Sequence, residues 1–293
     1  MIQDIEPKKL YNTYDPNAVP EEGDVLLRFS KGRLLVVYRC NPDGTRIGDY
    51  WIPRWNEIAI YAKKLYYLFR IDSRKYFLLW ESEEDTELIP ALTIGYKSEY
   101  LTLKQLRRDG RIDRLAMFAA YTGYHLWNWY ETERFCGHCG APLVPDNRLR
   151  MMKCEKCGRE FFPRINPAVI VAVRNGDRLL MTRYADSYGV PFYALIAGFT
   201  EIGETLEQTV AREVFEEVGL KVSGITYYKS QPWGIESDIL AGFVCDVDGS
   251  DEIRMDKREL KEAVWVERSE VTGQPTDYAL TNEMMLAFRD GKL

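Results

Sequence analysis

The chain has 293 residues, of which 46% are hydrophobic and 29% are charged, a balance that is typical of folded globular proteins and excludes general disorder. Its formal net charge of −6 gives no overall basic signal for nucleic-acid binding. An acidic protein that handles phosphates must concentrate positive charge locally, and a metal ion does this most simply.

The N-terminal residues and the cysteines indicate the cellular compartment of the protein. The opening stretch MIQDIEPKKLYNTYDP lacks the apolar core of a secretory signal, and no run of the sequence approaches the roughly 18 apolar residues of a membrane span. We therefore expect a cytoplasmic protein with no membrane partner. Four of the six cysteines lie between residues 136 and 157, and in a reducing compartment such clustering favours a metal site over disulfides.

Three segments of different composition follow one another: residues 1–130, 131–162 and 163–293. The first contains strand-like apolar runs separated by Gly, Asp and Asn turns, and it ends in a predicted helix from Asp113 to about Tyr130. We find no catalytic constellation in it. The first segment is therefore predicted to be an α+β domain.

The second segment is dominated by two Cys-x-x-Cys pairs, Cys136 with Cys139 and Cys154 with Cys157. A glycine follows each pair and lets the backbone turn back, so that four thiolates can meet one ion. Four sulfur ligands satisfy tetrahedral Zn²⁺ without an open position, which predicts a structural zinc ribbon. Two disulfides, free thiols or redox-active pairs are the alternatives, and His138 is expected to be a surface residue rather than a ligand.

From Ile165 the pattern changes to compact α/β. The buried strand AVIVAV, the turn signal RNGD and the returning strand RLLMTR predict a hairpin. Further strand-like runs, a glutamate-rich helix and a last helix, LTNEMMLAFRD, complete the segment. Strands with two helices predict a three-layer α/β sandwich with a mixed sheet.

The glutamate-rich helix has clear ends. Thr205 followed by Gln208 is a capping-box signature that predicts the first turn, and Gly219 predicts the end. The apolar stripe of this helix is expected to pack on the sheet; it consists of Leu206, Val210, Val214 and Val218.

Three acidic residues of this helix, Glu213, Glu216 and Glu217, fall within one arc of about 100°. A solvated acidic face is the plain interpretation. Against it, Glu213 and Glu217 form a like-charge pair four residues apart, which costs a few tenths of a kcal/mol. A divalent cation reverses the sign of that interaction, and oxygen ligands suit Mg²⁺ or Mn²⁺. Arg212 is expected to pair with a carboxylate such as Glu216, and Glu204 to join the preceding loop to the helix.

These residues fill every fixed position of the Nudix box, from Gly198 through Glu204 and REVFEE to Gly219 and Leu220. The upstream cysteine pairs, the link FFPRINP and the later SQPW complete a pattern that resembles the NADH pyrophosphatase family of the Nudix superfamily. The resemblance implies an α/β fold, a Nudix α/β/α sandwich with a mixed sheet preceded by a four-cysteine zinc ribbon and an N-terminal α+β domain. It also implies a homodimer that hydrolyses the pyrophosphate of NAD(H) to AMP and nicotinamide mononucleotide, and the same chemistry could remove an NAD cap from RNA.

The resemblance assigns roles to individual residues. Glu217 is expected to activate water, with Glu216 able to share that role. The metal ligands for Mg²⁺ or Mn²⁺ are Glu213, Glu216, Glu217 and Glu259, although Glu259 could be one acid among several in a charged loop. The residues expected to contact the dinucleotide substrate are Phe162, Ala197, Phe199, Gln231, Pro232 and Trp233.

One departure from the family pattern leaves more than one hypothesis about function open. In the family SQPW continues as PFP-x-S, but here residues 234–238 read GIESD. This weakens the nicotinamide assignment and favours a second hypothesis, hydrolysis of ADP-ribose, a dinucleoside polyphosphate or another nucleotide conjugate. A third hypothesis is a binding module with an idle Nudix domain, which recruits RNA or protein through the five basic residues that follow Asn147 in RLRMMKCEKCGRE.

Overall fold

The computed structural model describes residues 1–57, 65–80, 95–185 and 191–293. The chain separates into two compact units. The first unit comprises residues 4–164 and 234–236, and the second comprises residues 1–3, 165–233 and 237–293. The division of the first unit near residue 130 stays a prediction. Within the described ranges, no helix is both long enough and apolar enough to cross a membrane.

The first unit begins with two small sheets. Its strands are Leu10–Tyr11 (β1), Val25–Leu27 (β2), Phe29–Ser30 (β3), Arg33–Cys40 (β4), Arg46–Trp51 (β5), Leu65–Ile71 (β6), Arg74–Leu79 (β7) and Tyr96–Thr102 (β8). One sheet has the order β1-β6-β7-β2, and in the other β3, β5 and β8 all pair with β4.

Two helices follow, Leu103–Asp109 (α1) and Arg114–Thr132 (α2). The predicted helix after residue 113 is confirmed, because Asp113 is the N-cap of α2 and its side chain accepts a hydrogen bond from the backbone N–H of Ala116 at 2.9 Å. A three-stranded sheet then forms from Val144–Pro145 (β9), Met152–Lys153 (β10) and Glu160–Phe161 (β11).

The second unit is built on one six-stranded mixed sheet. Its elements are Asn166–Asn175 (β12), Arg178–Tyr184 (β13), Ile196–Phe199 (β14), Leu206–Val218 (α3), Val222–Trp233 (β15), Asp238–Val247 (β16), Leu260–Glu267 (β17) and Leu280–Arg289 (α4). The order is β15-β16-β12-β13-β17, and β14 pairs with β12. The pair β12 and β16 is parallel, while the other pairs are antiparallel.

Side chains of β12 alternate between two cores because successive residues of a strand point to opposite faces. On one face Val169, Val171 and Val173 pack in a cluster with the apolar stripe of α3. On the other face Ile170 and Ala172 pack in a cluster with α4. Helix, sheet and helix therefore form three layers, as the strand and helix pattern predicts.

The ends of α3 lie where the sequence places them. Gln208 N donates to Thr205 Oγ1 at 3.3 Å, and Thr205 N donates to Gln208 Oε1 at 2.8 Å, which closes the capping box. Gly219 ends the helix in the left-handed region, with φ of 72°. The two caps thereby define the first and last residues of the helix that carries the acidic residues.

Candidate functional site

Arg212 joins the loop before α3 to the acidic residues of the helix. Its Nε and Nη2 donate to the two carboxylate oxygens of Glu204 at 2.7 and 2.9 Å. Its Nη1 donates to Glu213 Oε1 at 2.7 Å and to Glu216 Oε2 at 3.0 Å, and Nη2 also donates to the carbonyl of Phe199 at 2.9 Å. The expected pairing of Arg212 with carboxylates is confirmed, and so is the link that Glu204 makes between loop and helix.

The Glu204 carboxylate is fully engaged in this link. Besides Arg212, its Oε2 accepts hydrogen bonds from Glu201 N at 3.1 Å and Thr209 Oγ1 at 3.0 Å. Hydrogen bonding from Arg212 is the largest cause that lowers the pKa of Glu204 to about 2. Glu204 therefore holds the loop in place and leaves the other box carboxylates to provide metal ligands.

The three carboxylates of the predicted arc differ strongly in exposure. The side chain of Glu216 is 59% exposed and that of Glu213 is 12% exposed. Glu217 is 2% exposed, and a backbone hydrogen bond from Ala197 in β14 reaches its carboxylate. The helix projection treats the three side chains as one arc, but burial next to β14 separates Glu217 from the other two.

The described residues provide no positively charged partner for the buried carboxyl group of Glu217. Its Oε2 is buried and has no hydrogen-bond partner among the described residues. Burial is the largest cause that raises its pKa to about 8, and the charges of Glu213 and Glu259 raise it further. A cation would provide the missing partner, and an orphaned carboxylate oxygen beside two more acids suits a hard divalent ion. The residues present therefore fit a divalent metal.

Glu259 approaches this site through the loop before β17. Asp256 N donates to Glu217 O at 2.8 Å, Arg254 N donates to Val218 O at 2.8 Å, and Glu259 N donates to Asp256 O at 3.3 Å. The loop is thus tied to the last turn of α3, although Glu259 itself is exposed. Sequence reasoning missed Asp256, because the contact joins segments far apart in the chain and leaves no local signal.

The four predicted metal-binding glutamates are not gathered into one tight cluster. In the parts of the chain that the structure describes, the cysteine set is the group in which three or more ligand atoms lie within 4.8 Å of one another. Arg212 holds Glu213 and Glu216 on one side, and Glu217 lies deeper. In the structure the charges of Glu213 and Glu259 act on Glu217 and raise its pKa. That all four glutamates bind one metal site stays a prediction.

The predicted substrate contacts also differ in exposure. Phe199 is 54% exposed at the end of β14, and Phe162, in the first unit, is 55% exposed. Ala197 and Trp233 are half-buried, and Pro232 is exposed. Two aromatic faces are therefore available for stacking on a base, one in each unit, and these contacts stay predictions.

Gln231 is fully buried, and its amide is bound within the second unit. Its Nε2 donates to Tyr278 O at 2.7 Å and to Gln3 Oε1 at 2.9 Å, and its Oε1 accepts from Leu280 N at 2.6 Å. These bonds hold the start of α4. The structure thus gives this side chain a structural role that the SQPW motif did not indicate.

The departure after SQPW has a steric reason. A Cβ atom on Gly234 would lie 2.1 Å from the backbone carbonyl oxygen of Tyr121 in α2 and 3.2 Å from Cβ of His125. Residues 234–236 belong to the first unit, so this approach is internal to that unit. Proline, which the family has at this position, would not fit here.

The cysteine pairs form the predicted cluster. The Sγ atoms of all four cysteines lie within 4.8 Å of one another, with 3.6 Å between Cys136 and Cys157 and 3.5 Å between Cys139 and Cys154. Bonds of about 2.3 Å to a tetrahedral Zn²⁺ separate its ligands by about 3.8 Å, so the cluster fits zinc. All six cysteines of the chain are free thiols, which disfavours the disulfide alternative.

The two knuckles have the same backbone geometry. Gly140 N donates to Cys136 O and Gly158 N donates to Cys154 O, both at 2.8 Å. The glycines have φ of 69° and 74°, a region that other residues rarely adopt. His138 is exposed and lies outside the cluster, as expected.

The basic patch that the third hypothesis invokes is smaller than the sequence indicates. Arg150 is turned inward: its Nη2 donates to the carbonyl of Leu68 in β6, and its guanidinium carbon lies 5.5 Å from the ring centroid of Tyr14. Burial lowers the pKa of Arg150. This arginine fastens the ribbon to β6 within the first unit and is not available as part of a surface patch.

The family comparisons agree with this geometry. Residues 164–287 match the family described as NUDIX domain, and residues 131–162 match the NADH pyrophosphatase zinc ribbon domain. Residues 131–287 are therefore similar to a Nudix domain that is preceded by a zinc ribbon of the NADH pyrophosphatase type.

Curated relatives are more specific. The chain is 42% identical over 144 residues to NAD-capped RNA hydrolase NudC of Citrobacter koseri and, with the same figures, to that of Salmonella heidelberg. Each match covers 49% of this chain and 55% of the relative, so the similarity extends over about half the length of the curated relatives.

Solved structures give weaker similarity. A NUDIX hydrolase from Nitrosomonas europaea is 20% identical, with a TM-score of 0.46, and the match covers 54% of this chain and 92% of that one. A MutT NUDIX hydrolase from Burkholderia pseudomallei is 16% identical, with a TM-score of 0.35, and the match covers 42% and 96% of the two chains.

Proposed function

We propose that the protein hydrolyses the pyrophosphate of NAD(H), releasing AMP and nicotinamide mononucleotide, and that it accepts the same linkage as an NAD cap on RNA. The observation that carries this proposal is the buried, unpartnered Oε2 of Glu217 within a Nudix domain. The NADH pyrophosphatase type of the zinc ribbon and the names of the curated relatives support the choice of substrate.

The residues that would hold Mg²⁺ or Mn²⁺ are Glu213, Glu216, Glu217 and Glu259. A divalent cation bound there would neutralise the diphosphate and lower the pKa of an attacking water. Glu217 is the proposed residue for orienting that water and accepting its proton, because it is the buried box carboxylate that has an unpartnered oxygen. Glu216, which is more exposed, can share this role.

Arg212 and Glu204 serve as positioning residues in this proposal. The guanidinium of Arg212 contacts Glu213 and Glu216 while Glu204 anchors it from the loop. Arg212 therefore restricts the rotamers of both glutamates before substrate binds, which reduces the entropic cost of ordering them. Stacking on a base or nicotinamide ring is assigned to Phe199 and Phe162, with Ala197, Gln231, Pro232 and Trp233 as further contacts.

A second candidate reaction is hydrolysis of ADP-ribose or another nucleoside diphosphate conjugate. The observation that favours it is Gly234, which fits against the Tyr121 carbonyl where the family has proline. This change alters the segment directly after SQPW, and hence the element that the family resemblance connects with the nicotinamide end. The diphosphate chemistry itself is the same for both candidates.

Three further proposals accompany the reaction. The cysteine cluster holds a structural Zn²⁺, for which its sulfur geometry is suited. The active protein is a homodimer in the cytoplasm. The family resemblance supports the dimer, and six free thiols are consistent with a reducing compartment.

The test is a substrate panel with product identification. Purified protein is incubated with NADH, NAD⁺, ADP-ribose and NAD-capped RNA in Mg²⁺ or Mn²⁺, alongside Glu217→Gln and a matched control, Glu207→Gln, which removes an exposed acid of the same helix. We expect cleavage of NADH, at least a hundredfold loss in Glu217→Gln, and no loss in Glu207→Gln. Cleavage of ADP-ribose alone would select the second candidate. RNA binding without cleavage of any substrate would overturn both and favour a binding module.

A further inference from the structure

We propose that the first unit carries a separate nucleotide-binding pocket on the sheet formed by β4, β5 and β8. The pocket has a volume of about 590 Å³, within the usual range for small-molecule sites. The residues that line it and that the proposal uses are Arg39, Asp49, Trp51, Arg54, Glu57 and Tyr96. This inference concerns the first unit and goes beyond the proposed hydrolysis.

The strand register places the key side chains together. Arg39 in β4 pairs with Ile47 of β5 on one side and with Tyr96 of β8 on the other. Residues directly opposite each other in neighbouring strands point to the same face of the sheet. Arg39 therefore lies between an aliphatic and an aromatic neighbour, and its guanidinium carbon is 6.0 Å from the Tyr96 ring centroid.

Trp51 supplies a second, fixed aromatic ring. Its ring centroid lies 5.9 Å from that of Tyr96, and the two planes are nearly perpendicular, at 88°. Its Nε1 donates to Glu57 Oε2 at 3.0 Å, and the same oxygen accepts from the backbone N–H of Arg54 at 3.0 Å. Because Glu57 holds the indole, the ring is oriented before any ligand binds, as a stacking surface for a base requires.

The charges of the pocket match a ligand that combines an anion with hydrogen-bonding groups. Arg39 and Arg54 are exposed, and no carboxylate of the described ranges forms a salt bridge with either guanidinium group, the arrangement that a phosphate ligand needs. Asp49 and Glu57 offset these positive charges, so the pocket does not attract every anion. Carboxylates also accept hydrogen bonds from the amino and imino groups of a base.

A nucleotide meets these conditions together, since it offers a flat ring, a phosphate and hydrogen-bond donors. Inorganic phosphate would leave both aromatic rings unused. The nucleotide could be free, as AMP is, or it could be one residue of single-stranded RNA, where stacking on aromatic and arginine side chains is the usual mode of binding. The chemistry is the same for both sources, and experiment separates them.

The test measures binding to the full-length protein by fluorescence anisotropy and by calorimetry. The probes are a labelled single-stranded RNA hexamer with a 5′-hydroxyl, AMP and inorganic phosphate. The variants are Arg39→Glu and Tyr96→Leu, the second of which keeps apolar bulk without the ring. Arg33→Glu is the matched control, because Arg33 is an exposed arginine of the same strand that does not line the pocket. Thermal melting checks that each variant is folded.

We expect both pocket variants to weaken nucleotide binding by at least tenfold and Arg33→Glu to change it less than threefold. If the pocket variants weaken the binding of both AMP and the hexamer, the pocket binds free nucleotides and RNA alike. Sensitivity of the hexamer alone would assign it to RNA. Equal binding by wild type and both pocket variants, or an equal loss in Arg33→Glu, would overturn the proposal whatever the hydrolysis assay shows.

Discussion

The carboxylate of Glu213 lies against the α-carbon of Gly198, so closely that a Cβ atom at residue 198 would be 2.0 Å from the Glu213 carboxyl carbon. Gly198 belongs to β14 and Glu213 to α3. The first glycine of the box is therefore required by a contact between strand and helix. It lets the strand approach until the acidic side of α3 lies on it.

Gly198→Ala is expected to displace the Glu213 carboxylate and to reduce NADH hydrolysis by at least a hundredfold. The new methyl group would push the carboxylate, which is the end of a flexible side chain, away from the strand and out of its hydrogen bond of 2.7 Å with Arg212. Steady-state kinetics over a range of Mg²⁺ concentrations measures both the rate and the apparent metal affinity. We expect the affinity to fall together with the rate.

Gly137→Ala is the control, since a Cβ at that position meets nothing within 4 Å and its φ is not in the left-handed region. This variant should retain wild-type activity. If Gly198→Ala also retained it, the close contact between strand and helix would have no functional consequence.

Glu217 should make the stability of the metal-free protein depend on pH. Its pKa is about 8 in the folded protein and about 4.5 in the unfolded chain, so the folded state keeps the proton longer. The favourable contribution is complete below pH 4.5 and is lost as pH rises towards 8. The expected loss of unfolding free energy from this group between pH 5 and 8 is on the order of 3 kcal/mol.

Chemical unfolding at pH 5 and pH 8 in the presence of a chelator measures this loss. Glu217→Gln should be more stable than wild type at pH 8 and similar to it at pH 5, and Mg²⁺ should stabilise only the wild type at pH 8. Glu207→Gln should follow the wild type throughout. An identical pH dependence in wild type and Glu217→Gln would contradict the uncompensated buried charge.

Local signals in the sequence predict those parts of the site that depend on nearby residues. The capping box of Thr205, the stop at Gly219 and the two cysteine knuckles all form as their spacing indicates. The different burial of Glu216 and Glu217 could not be predicted in this way. It depends on β14, which covers one side of the helix and which a helical projection does not contain.

Distant contacts explain the other differences. The sequence indicates that Arg150 is a surface cation. In the structure, however, its Nη2 donates a hydrogen bond to the carbonyl of Leu68 in another sheet. Asp256 carries no motif, yet its backbone fixes the loop of Glu259 to the end of α3. In the sequence, Gly234 is a departure from the family pattern. The structure shows why a side chain is excluded at this position, because the Tyr121 carbonyl lies too close.

Loss of zinc should destabilise the first unit. Arg150 and Asp146 of the ribbon contact β6 and Tyr14 of the same unit, with Tyr14 Oη donating to Asp146 O at 3.3 Å. Cys139→Ser should therefore lower the melting temperature of this unit by several degrees and make residues before 164 more sensitive to limited proteolysis.

Cys40→Ser removes a half-buried thiol outside the cluster and is the matched control. A metal-sensitive dye should report about one Zn²⁺ per chain for this variant and for wild type, and less for Cys139→Ser. A Cys139→Ser protein that keeps its zinc, or one that loses zinc without any change in proteolysis, would show that the ribbon does not support the first unit.

Substitution of Gln231 tests whether this side chain has a structural role or contacts the ligand. Replacement by Leu keeps most of the volume but leaves Leu280 N without its partner, while Tyr278 O keeps its hydrogen bond from Ile2 N; the change should cost about 2 kcal/mol of unfolding free energy. Gln3→Leu removes the bond from Gln231 Nε2 to Gln3 Oε1 and the bonds that Gln3 Nε2 donates to Ser230 O and Met1 Sδ, but it leaves Gln231 bound to Tyr278 O and Leu280 N, so we expect it to cost about 1 kcal/mol. Chemical unfolding and NADH kinetics on both variants separate the two roles. A higher KM for Gln231→Leu at unchanged stability would identify the side chain as a ligand contact, since the buried amide would then have to turn away from α4 when substrate binds.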